Sequence, residues 1–390
     1  MGRWGLLGWG TILFTVLLAG CTPQLGASST GWSPVAASGE VVYVATRQGQ
    51  VKALVDQGFG DVRAKWPPGA GDRIPGVYQT PAVGRALVYI GAANGHLYAL
   101  DKETGAIGET GWDRAVGRGP DLKPLIGGPA LDPEQQVVAI GSEDGNLYAF
   151  NAKTGDPLPW SPFRTGDKIW STPVIRDGVI YFGSHDRHVY AVSLKDGQAL
   201  WRFATGGAVV ARPLLFKDIV VIGDFDKKLY GIDARTGSLR WQRPVEGQNW
   251  FWAGAVASDQ VIFAPSMDGN VYALDGSGNL LWKHPMGSPI VSTPVLVRRG
   301  LVVAGKNGKV SLLDPSAADL GPNRELSALF LRAAEVKAPL FAAGDSVFVG
   351  AQDGKVRRID LKGTQIQKAW CFDTKDTKKD DAQKVVAQCD

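Results

Sequence analysis

The chain has 390 residues, including 50 Gly, 23 Pro and 3 Cys, and 42 Lys and Arg against 38 Asp and Glu leave a net charge of +4. That length suits two or three ordinary domains or one large repetitive one, and so much Gly and Pro suits short strands joined by tight turns. A charge this small, with no Lys/Arg cluster, excludes a basic nucleic-acid-binding face and an electrostatic membrane-surface patch.

Residues 1–20 form a targeting segment, with Arg3 as its positive charge and an apolar stretch through Leu18. The stretch is too short and too broken by Gly for a spanning helix. It ends in Leu18-Ala19-Gly20-Cys21, which resembles the bacterial lipoprotein box, so Cys21 is the candidate lipid-attachment residue. A plain signal peptide cleaved nearby is the alternative. Thr22, where an Asp would mark inner-membrane retention, resembles an outer-membrane address in a two-membrane cell. In a single-membrane cell the same anchor leaves the body on the outer face. Residues 21–32 are then a lipidated linker.

From residue 33 a single unit recurs eight times: an apolar strand usually ending in Gly, a turn such as Asp-Gly, and a second strand of the type LYAL. The copies start with VVYVATRQGQVKAL (41–54), LVYIGAANGHLYAL (87–100), VVAIGSEDGNLYAF (137–150) and VIYFGSHDRHVYAV (179–192). They continue with VVIGDFDKKLYGI (220–232), VIFAPSMDGNVYAL (261–274), LVVAGKNGKVSLL (301–313) and VFVGAQDGKVRRI (347–359). Within 171–203 the pattern resolves into four strand-like runs: Pro173 to Ile175, Val179 to Gly183, His188 to Leu194 and Ala199 to Phe203. Four antiparallel strands in about 40 residues make a propeller blade. The predicted fold is therefore all-β, an eight-bladed β-propeller of four-stranded antiparallel blades over 33–370.

A Trp recurs at the fourth strand: Trp66, Trp112, Trp160, Trp201, Trp241, Trp282 and Trp370. At a fixed register in successive copies it reads as a packing wedge between blades. Asp196-Gly197-x-x-x-Trp201 and Asp233-x-x-Thr236-Gly237-x-x-x-Trp241 resemble the tryptophan-docking motif of pyrroloquinoline-quinone (PQQ) type propeller repeats. Copies one, seven and eight depart from it. Lys52, Ser311 and Arg357 stand where the others have Tyr, and copy seven lacks the docking Trp. In a closed ring these copies are neighbours, which points to relaxed packing at the closure or to a partner covering that arc.

Chemistry has few candidates. His185 and His188 invite a metal reading, but they align with Glu143 and Asn146 at variable turn positions, and no metal site is predicted. No haem, P-loop, nucleophile-elbow or HExxH motif occurs. Enzymes of the PQQ-dependent dehydrogenase class share the repeat, but the chain lacks their adjacent Cys pair and has no evident acidic constellation for calcium. No cofactor is therefore expected. Aromatics outside the docking register, Tyr78, Trp170, Trp250, Phe251 and Trp252, lie on connections entering the first strands. They are the candidate binding face, and plugging the axial channel is their alternative role.

The tail 371–390 mixes both charge signs and holds Cys371 and Cys389, either a disulfide pair in an oxidising compartment or two thiols. The expected function is a non-catalytic, lipid-anchored extracytoplasmic scaffold, similar to the propeller lipoproteins of the outer-membrane β-barrel assembly machinery. That resemblance implies envelope proteins or peptides as partners, the membrane reached through the N-terminal lipid, no nucleic acid and a monomeric propeller. A PQQ-dependent dehydrogenase-like quinoprotein and a carbohydrate-binding surface module are the alternatives.

Overall fold

A computed structural model describes residues 32–374, apart from 47–48, 57–61, 68, 70, 72, 73, 109, 118, 319 and 333. It contains eight four-stranded antiparallel sheets, and in every sheet the four strands are consecutive in sequence. Among the described residues the helical structure is one short 3-10 turn, Gly321–Arg324. The blades span 35–64, 82–115, 130–164, 174–204, 214–246, 256–285, 295–330 and 341–373.

Blade four shows why these residues form this unit. Its second strand, Val179–Ser184, and third strand, His188–Ser193, are buried through their middles. Both faces are covered by neighbouring blades, so the sequence is continuously apolar rather than alternating. The outer strand, Ala199–Ala204, faces solvent on one side and keeps only Trp201 fully inside. The Gly that ends the second strand has a steric cause. A Cβ on Gly141, Gly183 or Gly223 would overlap Ile169, Val209 or Phe251, which enter from the segment leading into the next blade.

The recurrent indoles are wedges, each reaching one blade forward. The ring N–H donates to a backbone carbonyl from Trp66 to Lys102 (3.1 Å), Trp112 to Ala152 (3.0 Å), Trp160 to Leu194 (3.0 Å) and Trp201 to Ala234 (2.9 Å). Trp241 donates to Gly276 (3.1 Å) and Trp282 to Ser316 (2.8 Å) in the same way. Five of the rings, those of Trp66, Trp112, Trp160, Trp201 and Trp241, lie against a turn glycine of the receiving blade. A Cβ on Gly155, Gly197 or Gly237 would stand 2.6 Å from Trp112, Trp160 or Trp201, and all three glycines have φ of +69° to +72°. Indole contact and left-handed backbone together require Gly there.

The irregular copies have specific substitutes. In blade seven Arg324, almost fully buried, takes the place of the turn glycine and lies 3.8 Å from the centre of the Trp282 ring. In blade eight the buried Arg357 pairs with Asp353 where other blades pair Tyr with Asp. Ser311 donates to Glu325 (2.9 Å), and the Lys52 ammonium sits 5.5 Å from the centre of the Phe372 ring. Where blade seven lacks a Trp, the interface with blade eight is aliphatic, built from Val302, Leu312, Val347, Ile359 and Leu361.

Among the described residues the ring closes without strand exchange, blade eight being built from residues 341–373. Blades one and eight meet through a shared core of Val35, Val42, Val44, Phe348, Trp370 and Phe372. Gly350 lies so close to blade one that a Cβ would overlap the Ser33 carbonyl. The last strand, Gln365–Asp373, passes the expected boundary at 370 because Cys371 and Phe372 are buried in this closure. Cys21, the targeting segment and Cys389 lie outside the described residues.

Candidate functional site

Each blade is entered by a lead-in segment, and one mouth of the channel is built from these segments and the turns between second and third strands. In seven blades a turn residue donates its N–H to a lead-in carbonyl. The bonds include Glu143 to Pro124 (3.1 Å), His185 to Lys168 (2.9 Å), Phe225 to Ala208 (3.0 Å), Met267 to Trp250 (2.9 Å) and Lys306 to Pro289 (2.8 Å). The mouth is thus a backbone-bonded collar, and its chemistry lies in the side chains the two segments present.

Over blades four to six those side chains are aromatic. Trp250 stacks on Phe225 with ring centres 4.5 Å apart and planes at 16°, and Phe225 stacks on Trp252 at 5.5 Å and 18°. Trp252 lies 6.3 Å from Trp170, whose ring meets His185 edge-on at 4.4 Å. Trp170 is fixed by an N–H bond to Glu143 Oε1 (2.8 Å) and by the Lys168 ammonium 6.0 Å from its ring. Trp250 is 38 % exposed, an unusual placement for so large a ring. Next along the ring, over blades seven and eight, the rim is ionic, with Glu335 between Lys306 (3.8 Å) and Lys337 (3.2 Å).

Of the five sequence-predicted aromatics, the structure brings Trp170, Trp250 and Trp252 together. Phe251 does not join them. It is fully buried between blades five and six against Gly223 and Tyr272, because it occupies the core register held elsewhere by Val77, Leu125, Ile169, Val209 and Ile290. Tyr78 also turns inward, buried and edge-on to Trp32 at 5.4 Å. Phe225 and His185 complete the arc, and the sequence reading missed them as part of a site because their column is otherwise a variable turn position.

His185 and His188 do not converge. His188 Nδ1 lies 2.9 Å from the Asp186 carbonyl, and its ring tilts against Tyr190. Burial pushes the His185 pKa below the ordinary 6.5, and its Nε2 has no hydrogen-bond partner among the described residues, so the ring is neutral and part of the aromatic arc. Beneath the turns a latch recurs, the Tyr hydroxyl donating to an Asp four residues earlier. It joins Tyr148 to Asp144 (2.7 Å), Tyr190 to Asp186 (2.6 Å) and Tyr272 to Asp268 (2.5 Å). Burial would raise the Asp268 pKa, but bonds from Tyr272, Asn270 and the Gln248 N–H outweigh it and hold the carboxyl below its usual range.

Inside the mouth all eight lead-in segments converge on an axial cavity of about 30 Å³, lined by Trp32, Gln79, Ile126, Trp170, Arg212, Trp252, Thr293 and Pro339 among others. Drug-sized and cofactor sites occupy roughly 300–1,000 Å³. A wider open depression of about 580 Å³ lies at the first turns of blades five and six, with Lys217 and Asp259 as its charged residues. Among the described residues no group of three His, Cys, Asp or Glu could hold a metal ion. The axial cavity is too small for a tricyclic quinone, and the wider depression, with Asp259 as its one carboxylate, lacks the oxygen donors that calcium needs.

The family model described as outer membrane protein assembly factor BamB matches residues 106–251 and 267–382. The chain belongs to the BamB family. The BamB of Yersinia pestis is 30% identical over 180 residues, which cover 43% of this chain and 42% of that protein. A polyvinylalcohol dehydrogenase of a Pseudomonas species is 32% identical over 138 residues, covering 31% of this chain and 21% of the enzyme. The chain thus spans well under half the length of both curated relatives. Among solved structures, BamB from Moraxella catarrhalis superposes with a TM-score of 0.61 at 18% identity, covering 76% of this chain and 85% of the other. The computationally designed Ika8 protein superposes at 0.65 with 20% identity, covering 85% and 98%. At those identities the superpositions speak for the eight-bladed fold, and membership of the BamB family rests on the sequence match.

Proposed function

We propose that this BamB-family protein is a non-catalytic, lipid-anchored scaffold of the cell envelope whose aromatic rim docks a protein or peptide during outer-membrane protein assembly. The observation that carries this reading is the arc of Trp250, Phe225, Trp252 and Trp170, stacked on a backbone-bonded collar. Rigid aromatics at a rim offer large apolar area with little ordering entropy to lose on binding. Their exposure also costs the free protein stability, which a docking role accounts for. The anchor in this reading is a diacylated Cys21, with 21–32 as linker and the propeller body held at the periplasmic face of the outer membrane. A Cys371–Cys389 disulfide would tie the charged tail to the last strand.

The test is a paired substitution. Trp250→Ala with Trp252→Ala should abolish capture of the envelope partner while leaving the melting temperature within a few degrees. Loss of stability with capture intact would instead make these rings structural plugs. Two further assays separate the rival classes. Protein mixed with PQQ and Ca²⁺ should show no alcohol-dependent dye reduction, and a glycan array should give no signal. Cys21→Ser should release the protein from membranes.

A further inference from the structure

Two residues before the first strand of each blade stand Ser33, Thr80, Gly128, Thr172, Arg212, Gly254, Thr293 and Pro339, and the last five of these line the axial cavity. Seven are small because eight backbones converge there. A Cβ on Gly128 would stand 3.1 Å from the Thr80 carbonyl and 3.2 Å from Thr172 Oγ1, and one on Gly254 3.3 Å from Arg212 Cβ and 3.4 Å from Thr293 Oγ1. Arg212 is the exception, a long cation where packing asks for the smallest side chains. Its side chain is exposed to the axial cavity that it lines. The protein mass around the channel pulls its pKa below the usual arginine range, and no acidic group, hydrogen bond or ring contact compensates it among the described residues. A guanidinium stays charged under such conditions, and one with no acidic partner can take an anion from the channel.

The groups around it are donors. Thr172 Oγ1 accepts the Gly128 N–H (2.8 Å) and Thr293 Oγ1 accepts the Gly254 N–H (3.2 Å). Each hydroxyl therefore has its proton left to give, and no described residue accepts it. Trp170 and Trp252 form apolar walls, and the Trp170 N–H is already held by Glu143. We propose that Arg212, with Thr172 and Thr293, forms a carboxylate-binding site in the axial channel, beneath the aromatic rim. A cavity of about 30 Å³ admits one small planar head and little more. The guanidinium fork matches a carboxylate in two parallel bonds, and the carbon chain behind it would leave along the channel past Trp170 and Trp252. The carboxylate can belong to a free acid or to an acidic side chain of a peptide. The site does not depend on the scaffold reading.

Tryptophan fluorescence and the ¹⁵N–¹H Nε resonance of Arg212 would be followed during titration with sodium acetate, against sodium chloride at equal ionic strength. The same titration with blocked Gly-Glu-Gly and Gly-Gln-Gly peptides distinguishes the two sources. Saturable shifts with acetate or with the Glu peptide, absent with chloride and the Gln peptide, are expected. Arg212→Gln should weaken binding at least tenfold, and Arg212→Lys, which keeps the charge without the fork, should weaken it several-fold. Removing an uncompensated charge should also leave the Arg212→Gln melting temperature unchanged or higher. Equal responses to acetate and chloride, equal binding by wild type and Arg212→Gln, or no response to any probe would overturn the proposal. If Arg212→Gln does not fold, the arginine is structural and the proposal fails unless Arg212→Lys folds and shows the weakened binding.

Discussion

Trp241→Ala tests the wedge account most simply. The Trp241 ring is 3% exposed, lies on Gly278 and Gly231, and donates to the Gly276 carbonyl of blade six at 3.1 Å. Truncating a buried Trp costs about 3–5 kcal/mol through lost transfer and cavity terms. The orphaned carbonyl adds roughly 1 kcal/mol. Trp241→Phe separates the two, since it keeps most of the ring and loses the donor, and its cost should be about 1–2 kcal/mol. Urea unfolding followed by far-ultraviolet circular dichroism is the assay, because it does not depend on the indole removed. The order expected is wild type, then Trp241→Phe, then Trp241→Ala, with Trp250→Ala close to wild type. A cost below about 1 kcal/mol for Trp241→Ala would refute the claim that indoles hold the blades together.

Gly237→Ala should be nearly as damaging, because its Cβ would press on Trp201 at 2.6 Å from a backbone with φ of +72°, and thermal unfolding reads this directly. His185 has a folded pKa depressed below 6.5, so its contribution is intact above that pH and is lost as pH falls toward the folded value. His185→Phe, which copies the Phe225 column, should flatten the decline in melting temperature below pH 6.5. The Asp268 carboxyl is likewise depressed, so its latch with Tyr272 should weaken only at pH below the ordinary carboxylate range, and Asp268→Asn should lose that acid sensitivity. Under non-reducing conditions peptide mapping should join Cys371 to Cys389, and free thiols at both positions would remove the proposed tie of the tail.

The architecture was legible because each blade repeats the same physical solution. The second-strand Gly, the Asp–Tyr latch and the Thr-Gly before the docking Trp are read as one pattern, since each answers a contact repeated around the ring. The site was legible only in part. Trp170, Trp250 and Trp252 stood out as aromatics off the wedge register, whereas Phe251 was misplaced on the rim. Aligning the lead-in segments would have shown it in line with Ile169 and Val209, both core residues. Phe225 and Arg212 escaped notice for a different reason. Each is a single unusual side chain in a column whose importance comes from position at the mouth or axis, which no spacing along one blade reveals.

The scaffold account turns on whether the aromatic arc touches another protein. A photo-crosslinking residue placed at 250 should capture an outer-membrane assembly partner in living cells, whereas the same residue at 200, on the outer strand where Leu200 is 54% exposed, should not. Adducts at 200 with none at 250 would contradict it.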